Sequence, residues 1–300
     1  MRPIVITGIS GFIGGHVWAK VAKRPECIGV HGASGFVPLA MERQRQFDLT
    51  RKETVREFIQ ETEPSVILHL AGITSLRFCQ KNSLAAWKVN HVATRHLAEE
   101  AAKIDCRFIY TSTDMVFDGV RGNYRETDAP NPLSVYGETK RAAERTVMAT
   151  VDNYLLLRLN NCYGPPMFRG SSFSEWVLNK EEAGEPIPLF VNQIRSPIDV
   201  VTLSNILVEI IDNPITGILH LGGSHRVNRV TFGRMILKHK NRDVSTILET
   251  HSSKHDPEGI QPQDTSFDST AARRILDTSI PGLEEGLRLS YGPGGPTALL

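Results

Sequence analysis

A β-branched run, Pro3-Ile4-Val5-Ile6-Thr7, is followed at once by Gly8-Ile9-Ser10-Gly11-Phe12-Ile13-Gly14-Gly15, after which the pattern turns helical to about Lys23. A short apolar run of this kind reads as a buried strand. Glycines 8, 11 and 14 then give Thr-Gly-x-x-Gly-x-x-Gly between a strand and a helix, the context in which the spacing means a phosphate loop. Gly8 permits the tight turn, Gly11 lets a pyrophosphate approach the backbone, and Gly14 lets the helix pack closely on the sheet. Ser10, Phe12 and Ile13 complete the loop, and the helix start offers unpaired N–H groups to the phosphates. Such an opening predicts an α/β protein, a Rossmann-type doubly wound parallel sheet that binds a dinucleotide.

The alternation continues. Cys27 to His31 reads as the second strand, Phe47-Asp48-Leu49-Thr50 as a short third, and Val66 to Gly72 as a fourth. Thr50 with Glu53 reads as a capping box for a helix over 52–62, and Ser83 as the cap of a long helix through Ile104. A carboxylate on the ribose 2′-hydroxyl is expected at the second strand's end in a chain that prefers NAD. Here His31-Gly32-Ala33-Ser34 has none, so NADP(H) is favoured, with Ser34 toward a 2′-phosphate and Arg43 or Arg45 near it; NAD(H) stays open. Asp48 and Leu49 are placed beside the adenine, and Leu70, Ala71 and Gly72 let a cofactor pass the fourth strand's end. Asn90, a poor helix former in mid-helix, is expected to bond a neighbouring loop beside the cofactor. His69 reads as a satisfied core histidine.

A second constellation lies between Tyr110 and Lys140. Arg107 to Thr111 reads as a strand leading into Ser112, Thr113 and Asp114, and 134–148 as a helix carrying Tyr136 and Lys140 on one face. An ammonium one turn from a phenol is expected to lower the phenol's pKa, which suits proton transfer to a carbonyl oxygen that Thr113 also reaches. Beyond a sixth strand at 154–159 the pattern loosens into extended pieces at 187–190 and 195–198, helices at 172–183, 201–211 and 231–240, a strand at 217–221, and a Gly/Pro-rich tail from Ser290 to Thr297. The expected organisation is a dinucleotide-binding unit over 1–160 and a smaller, partly interleaved substrate lobe over 161–300.

The formal charge of +1 gives no field for nucleic acid or an acidic membrane. No apolar run reaches the about 20 residues that span a bilayer, and the chain opens directly on a strand, so a cytoplasmic protein without a leader is expected. Cys27, Cys79, Cys106 and Cys162 lack metal-ligand spacing and read as reduced thiols.

Taken together, Thr7-Gly8-x-x-Gly11-x-x-Gly14, Ser112-Thr113-Asp114, Tyr136-x-x-x-Lys140 and Arg158-x-x-x-x-Tyr163-Gly164-Pro165 resemble the extended short-chain dehydrogenases/reductases. Ser112-Thr113-Asp114-x-Val116-Phe117-Asp118-Gly119, Glu126 to Lys140 and Gly217 to Gly223 are most similar to the dTDP-4-dehydrorhamnose reductases. The resemblance implies a reductase of a nucleotide-linked 4-keto sugar, with Thr113, Tyr136 and Lys140 catalytic. Asp114, Met115 and Asn161 would lie beside the sugar, and a homodimer is an assembly open to it. Met115 stands where the rhamnose-forming enzymes usually have Tyr, which opens the question of the sugar; a thioether also cannot do the proton transfer a 4,6-dehydratase needs there. An epimerase on the same fold, and a binding subunit like the methionine adenosyltransferase β-subunit, are the alternatives.

Overall fold

A computed structural model describes residues 2–33, 35, 37–254, 256, 258–293 and 295–296. The first part of the chain runs β1 (Ile4–Thr7), α1 (Phe12–Val21), β2 (Cys27–His31), β3 (Gln44–Gln46), α2 (Lys52–Thr62), β4 (Val66–His69), α3 (Leu76–Lys81), α4 (Ser83–Trp87), a π-helical turn (Lys88–Val92), α5 (Ala93–Lys103), β5 (Arg107–Thr113), α6 (Val135–Thr150) and β6 (Tyr154–Leu159). It continues through β7 (Cys162–Tyr163), α7 (Phe173–Glu182), β8 (Ile187–Phe190), β9 (Ile194–Arg195), β10 (Ile198–Asp199), α8 (Val200–Asp212), β11 (Gly217–Leu221), β12 (Val227–Asn228), α9 (Arg229–His239), β13 (Ile247–Thr250), α10 (Thr270–Ile275) and α11 (Leu283–Tyr291).

Seven parallel strands form the central sheet in the order β11-β6-β5-β4-β1-β2-β3. Successive side chains of a strand point to opposite faces. Ile4, Ile6, Ile109, Leu155 and Leu157 therefore pack with Val17, Trp18, Leu203 and Leu207 of α1 and α8. Val5, Phe108, Tyr110 and Leu156 pack with Val55, Phe58, Leu97 and Val147 of α2, α5 and α6. Both faces are covered, which is why these strands read as unbroken apolar runs. The order reverses between β1 and β4, and ligands of such sheets bind at that switch, outside the strands' C-terminal ends. The paired strands β8/β13 and β9/β12 belong to the far side, where Tyr163, Val177, Leu189, Phe232, Ile236 and Leu287 make a separate core. No helix of the described residues is long and apolar enough to cross a membrane.

Several expected boundaries move. The third strand is Gln44–Gln46, not Phe47–Thr50: the ladder ends where Phe47 N donates to His31 O, and Phe47 turns its ring onto Phe58 (4.9 Å). Asp48 then folds its carboxylate onto Thr50 N (2.9 Å), so the capping box does not form and Arg51 stands at the N-cap. Ser75 caps α3 through Phe78 N, whereas Ser83 is the first residue of its helix and caps nothing. The extended piece at 195–198 is two bridges split at Ser196-Pro197, since proline has no ladder N–H. α11 runs through a buried Ser290 to Tyr291, so the tail expected from Ser290 starts later; the Tyr291 hydroxyl donates to Glu175 Oε1 (2.8 Å), and Thr297 lies outside the described residues.

Candidate active site

The glycine loop is built as its spacing predicts, with one change of partner. Gly8 has φ +75°, and a Cβ there would lie 2.7 Å from Ala71 N, so the turn out of β1 and the end of β4 touch through backbone alone. A Cβ on Gly14 would lie 2.0 Å from Gly8 O; its tight fit is against the loop's own backbone rather than the sheet. Gly11 is the N-cap of α1 without any side-chain cap, and a Cβ there would meet only Gly8 O, at 3.2 Å. The helix start therefore keeps free donors beside open space, which fits a pyrophosphate.

Two adjoining clefts follow the strand ends. One, of about 460 Å³, is lined by Gly8, Ser10, Gly11, Asp48, Leu49, Leu70, Ala71 and Gly72, with Gly32, Ala33, Phe47 and Thr50 beside them. The other, of about 490 Å³, is lined by Gly8, Gly11, Phe12, Ile13, Gly14, Leu70, Gly72, Asn90, Thr113, Asp114, Tyr136, Lys140 and Asn161. Residues more than 150 positions apart thus meet in one trough. Ser34 lies outside the described residues. Arg43 donates to Arg24 O (3.0 Å) and Arg45 to Gln44 O (3.1 Å), and neither is a wall residue of the two clefts. Met115 is not a wall residue either: it packs with Cys79, Ala86 and Tyr136 beneath the site.

Asn90, on the π-helical turn, accepts from Ile73 N (2.8 Å) and donates to Ile73 O (3.0 Å) and Thr139 Oγ1 (3.1 Å). It ties the loop after β4 to α6, one residue before Lys140. Ser134 caps α6 by accepting from Gly137 N (3.2 Å), and this sets the rotation at which Tyr136 and Lys140 enter the cleft. Lys140 Nζ donates to Thr111 O (2.6 Å) and lies 4.2 Å from the Tyr110 ring centroid. His69 sits in the core between Thr7 Oγ1 (2.6 Å) and Thr94 Oγ1 (3.0 Å), and burial pushes it down to about 3, so it is neutral.

The expected electrostatics of the pair must be corrected. Burial raises the Tyr136 phenol well above its ordinary value; a hydrogen bond with Thr113 opposes this, while Asp114 and Cys79 add to it. Lys140 is not among the groups that move it. Burial instead pushes the Lys140 ammonium down to about 7, against the attraction of Glu144. Glu144 is held by Arg158 in two 2.9 Å bonds and by Ser112 Oγ (2.6 Å). The Thr113 hydroxyl donates to Asp114 Oδ1 (3.1 Å) and accepts from Met115 N (3.2 Å). Asp114 Oδ2 in turn takes a bond from Thr265 Oγ1 and pairs with Arg195 Nε at 3.4 Å.

Sequence reasoning missed Ile73, Thr74, Asn160, Cys162, Ser171 and Phe173 on the wall, and Arg195 and Thr265 behind it. Asn160 and Cys162 stand inside a motif already singled out and were open to inference. Nothing local marks Thr265, which reaches Asp114 across 151 positions.

A family model described as RmlD substrate binding domain matches residues 1–292. A probable low-salt glycan biosynthesis reductase of Haloferax volcanii is 28% identical over 288 residues, 94% of this chain and 95% of that one. Methionine adenosyltransferase 2 subunit beta of Bos taurus is 30% identical over 240 residues, 76% of this chain and 69% of that one. Among solved structures, dTDP-4-dehydrorhamnose reductase of Bacillus anthracis in complex with NADP superposes with a TM-score of 0.82 at 24% identity, covering 97% of this chain and 98% of that one.

Proposed function

The chain belongs to the RmlD substrate binding domain family, and from that premise we propose that it is a reductase that uses NADP(H) to reduce the 4-keto group of a nucleotide-linked sugar. The observation that carries the reading is the convergence of Thr113, Tyr136 and Lys140 with the glycine loop on one cleft. When bound, the dinucleotide supplies the hydride. The chain's own part is to hold it and to manage the proton. The uncapped start of α1 faces the pyrophosphate, and Asp48 and Leu49 line the outer cleft where the adenosine end belongs. Lys140, held on Thr111 O, stands beside Gly72 and Asn90 to hold the nicotinamide ribose. Tyr136 gives its proton to the sugar oxygen as charge develops there. Its phenol, raised by burial, is neutral at neutral pH and still holds the proton it gives. The missing carboxylate after His31 favours NADP(H) over NAD(H), and the Bacillus anthracis neighbour, which is in complex with NADP, supports that reading. Asp114 and Asn161 face the sugar, and Met115 acts through packing.

The test is NADPH and NADH oxidation against a panel of nucleotide-linked 4-keto sugars, with Tyr136→Phe as the key variant. NADPH is expected to bind at least as tightly as NADH. Tyr136→Phe is expected to lose about 10²–10⁴-fold in turnover while coenzyme affinity holds. Wild-type turnover in the variant removes Tyr136 as the donor. Product formed without net coenzyme consumption points to an epimerase. The relative named as a methionine adenosyltransferase subunit keeps one other reading in view, a binding subunit; a stoichiometric partner enzyme recovered with no keto-sugar turnover would favour it.

A further inference from the structure

Glu144 stands one turn after Lys140 on α6, fully buried, and its carboxylate is filled on every side. Oε1 accepts from Ser112 Oγ (2.6 Å) and Arg158 Nε (2.9 Å), and Oε2 from Arg158 Nη2 (2.9 Å) and Arg141 Nη1 (3.0 Å). Arg158 is held from its other side as well. Its Nη1 donates to His220 Nε2 (3.3 Å), which leaves the His220 proton on Nδ1 to be given to Tyr124 O (3.0 Å), and its Cζ lies 5.2 Å from the Phe117 ring centroid. Burial and the charge of Arg158 push His220 down to about 4, so it is neutral. Four elements, β5, α6, β6 and β11, are thus joined behind the inner cleft. Stability alone does not call for this, since well-packed apolar side chains in place of a buried ion pair are often neutral or stabilising. The pair sits where two bonds cross from β5 to α6. Thr111 O takes the Lys140 ammonium, and the next residue, Ser112, gives its hydroxyl to Glu144. Among the described residues, Glu144 is the one charge that favours the Lys140 ammonium, against the burial that pushes it down to about 7. The other groups around Lys140 are neutral or bound elsewhere. His69 of β4 is pushed down to about 3, burial raises the Tyr110 and Tyr136 phenols and the Cys79 thiol, and Thr94 and Asn90 carry no charge. Asp114 is committed to Thr113, Thr265 and Arg195, and His91 of the π-helical turn faces Thr146.

We propose that Glu144 is a positioning residue for Lys140: gripped by Ser112, Arg158 and Arg141, it holds a fixed negative charge one turn behind the cleft, and through it the cleft keeps its cation. This rests on the reductase reading above, in which the Lys140 ammonium holds the nicotinamide ribose. Glu144 is not a wall residue of either cleft, so it acts through Lys140 and Ser112. A carboxylate beside a cation favours the charged form, and the arginine behind that carboxylate weakens its field. The two members of the pair therefore act on Lys140 with opposite sign.

The experiment is a ¹³C NMR titration of the lysine Cε signals of the full chain for wild type, Glu144→Gln and Arg158→Gln, with Lys140 identified as the signal that Lys140→Met lacks. It is run beside pH profiles of kcat/KM on the nucleotide-linked keto-sugar that wild type reduces best. Glu144→Gln is expected to lower the Lys140 midpoint by about one pH unit and Arg158→Gln to raise it by about as much. The alkaline limb of kcat/KM should move with the midpoint in each. Because the signs are opposite, either variant decides the matter if the other does not fold. One midpoint shared by all three proteins overturns the proposal. So does a loss of kcat/KM in both variants with the alkaline limb in place, which is the mark of a brace that only supports the fold. If wild type reduces a keto-sugar and the midpoints do not part, the proposal falls and the reductase reading stands. If the midpoints part as expected but no keto-sugar is reduced, the hold of Glu144 on Lys140 stands and the reductase reading falls.

Discussion

Lys140 lies in the interior with Nζ on Thr111 O and the Tyr110 ring, and the nearest carboxylate on its own helix, Glu144, is already committed to Arg158 and Ser112. Its pKa falls from 10.5 to about 7. Between those values the unfolded chain holds a proton that the folded chain has released, so this group makes stability rise with pH across that window. Urea unfolding of wild type and Lys140→Met from pH 7 to 10 should show the rise in wild type and its loss in the variant. Equal slopes would mean that Lys140 keeps its proton when folded. At this scale the sequence was partly legible. That Tyr136 and Lys140 share a face follows from helical spacing alone. How they ionise does not, because it is set by Thr111, Tyr110, Cys79 and Asp114, brought in from other elements.

Asp114 joins elements rather than residues: one oxygen holds Thr113 at the end of β5, the other takes Thr265 from the loop before α10 and Arg195 from β9. The far side of the molecule thereby sets the orientation of the Thr113 hydroxyl. Thr265→Val should lower kcat by about tenfold, the order of one hydrogen bond to a charged group. NADPH affinity should be unaffected, and Thr265→Ser should restore turnover. A valine variant with normal kcat would reduce the contact to packing. Element types were readable along most of the chain because apolar period is local, whereas the two caps read from it, Thr50 and Ser83, cap nothing. Boundaries failed where a side chain chose a partner the pattern does not encode, as when Phe47 turned onto Phe58 and the third strand ended at Gln46. The π-helical turn at Asn90 was announced only by a poor helix former in mid-helix.

Across the whole molecule, the parallel sheet was legible from strand–helix alternation, but not which late segment would complete it. β11 returns 58 residues after β6 to pair Gly217 with Leu155, and α8 covers that face beside α1. Gly8, Gly11, Leu70 and Gly72 belong to both clefts at once. A ligand laid along that seam becomes part of the surface on which anything in the inner cleft must rest. On the proposed reading, arrival is then expected in sequence, the coenzyme first and the sugar last, with the reduced sugar departing before the spent coenzyme. Initial-rate kinetics should show NADP⁺ competing with NADPH at every sugar concentration, while the sugar product inhibits noncompetitively against NADPH. Rate patterns indifferent to which partner is mixed first would mean that the two halves of the trough fill independently.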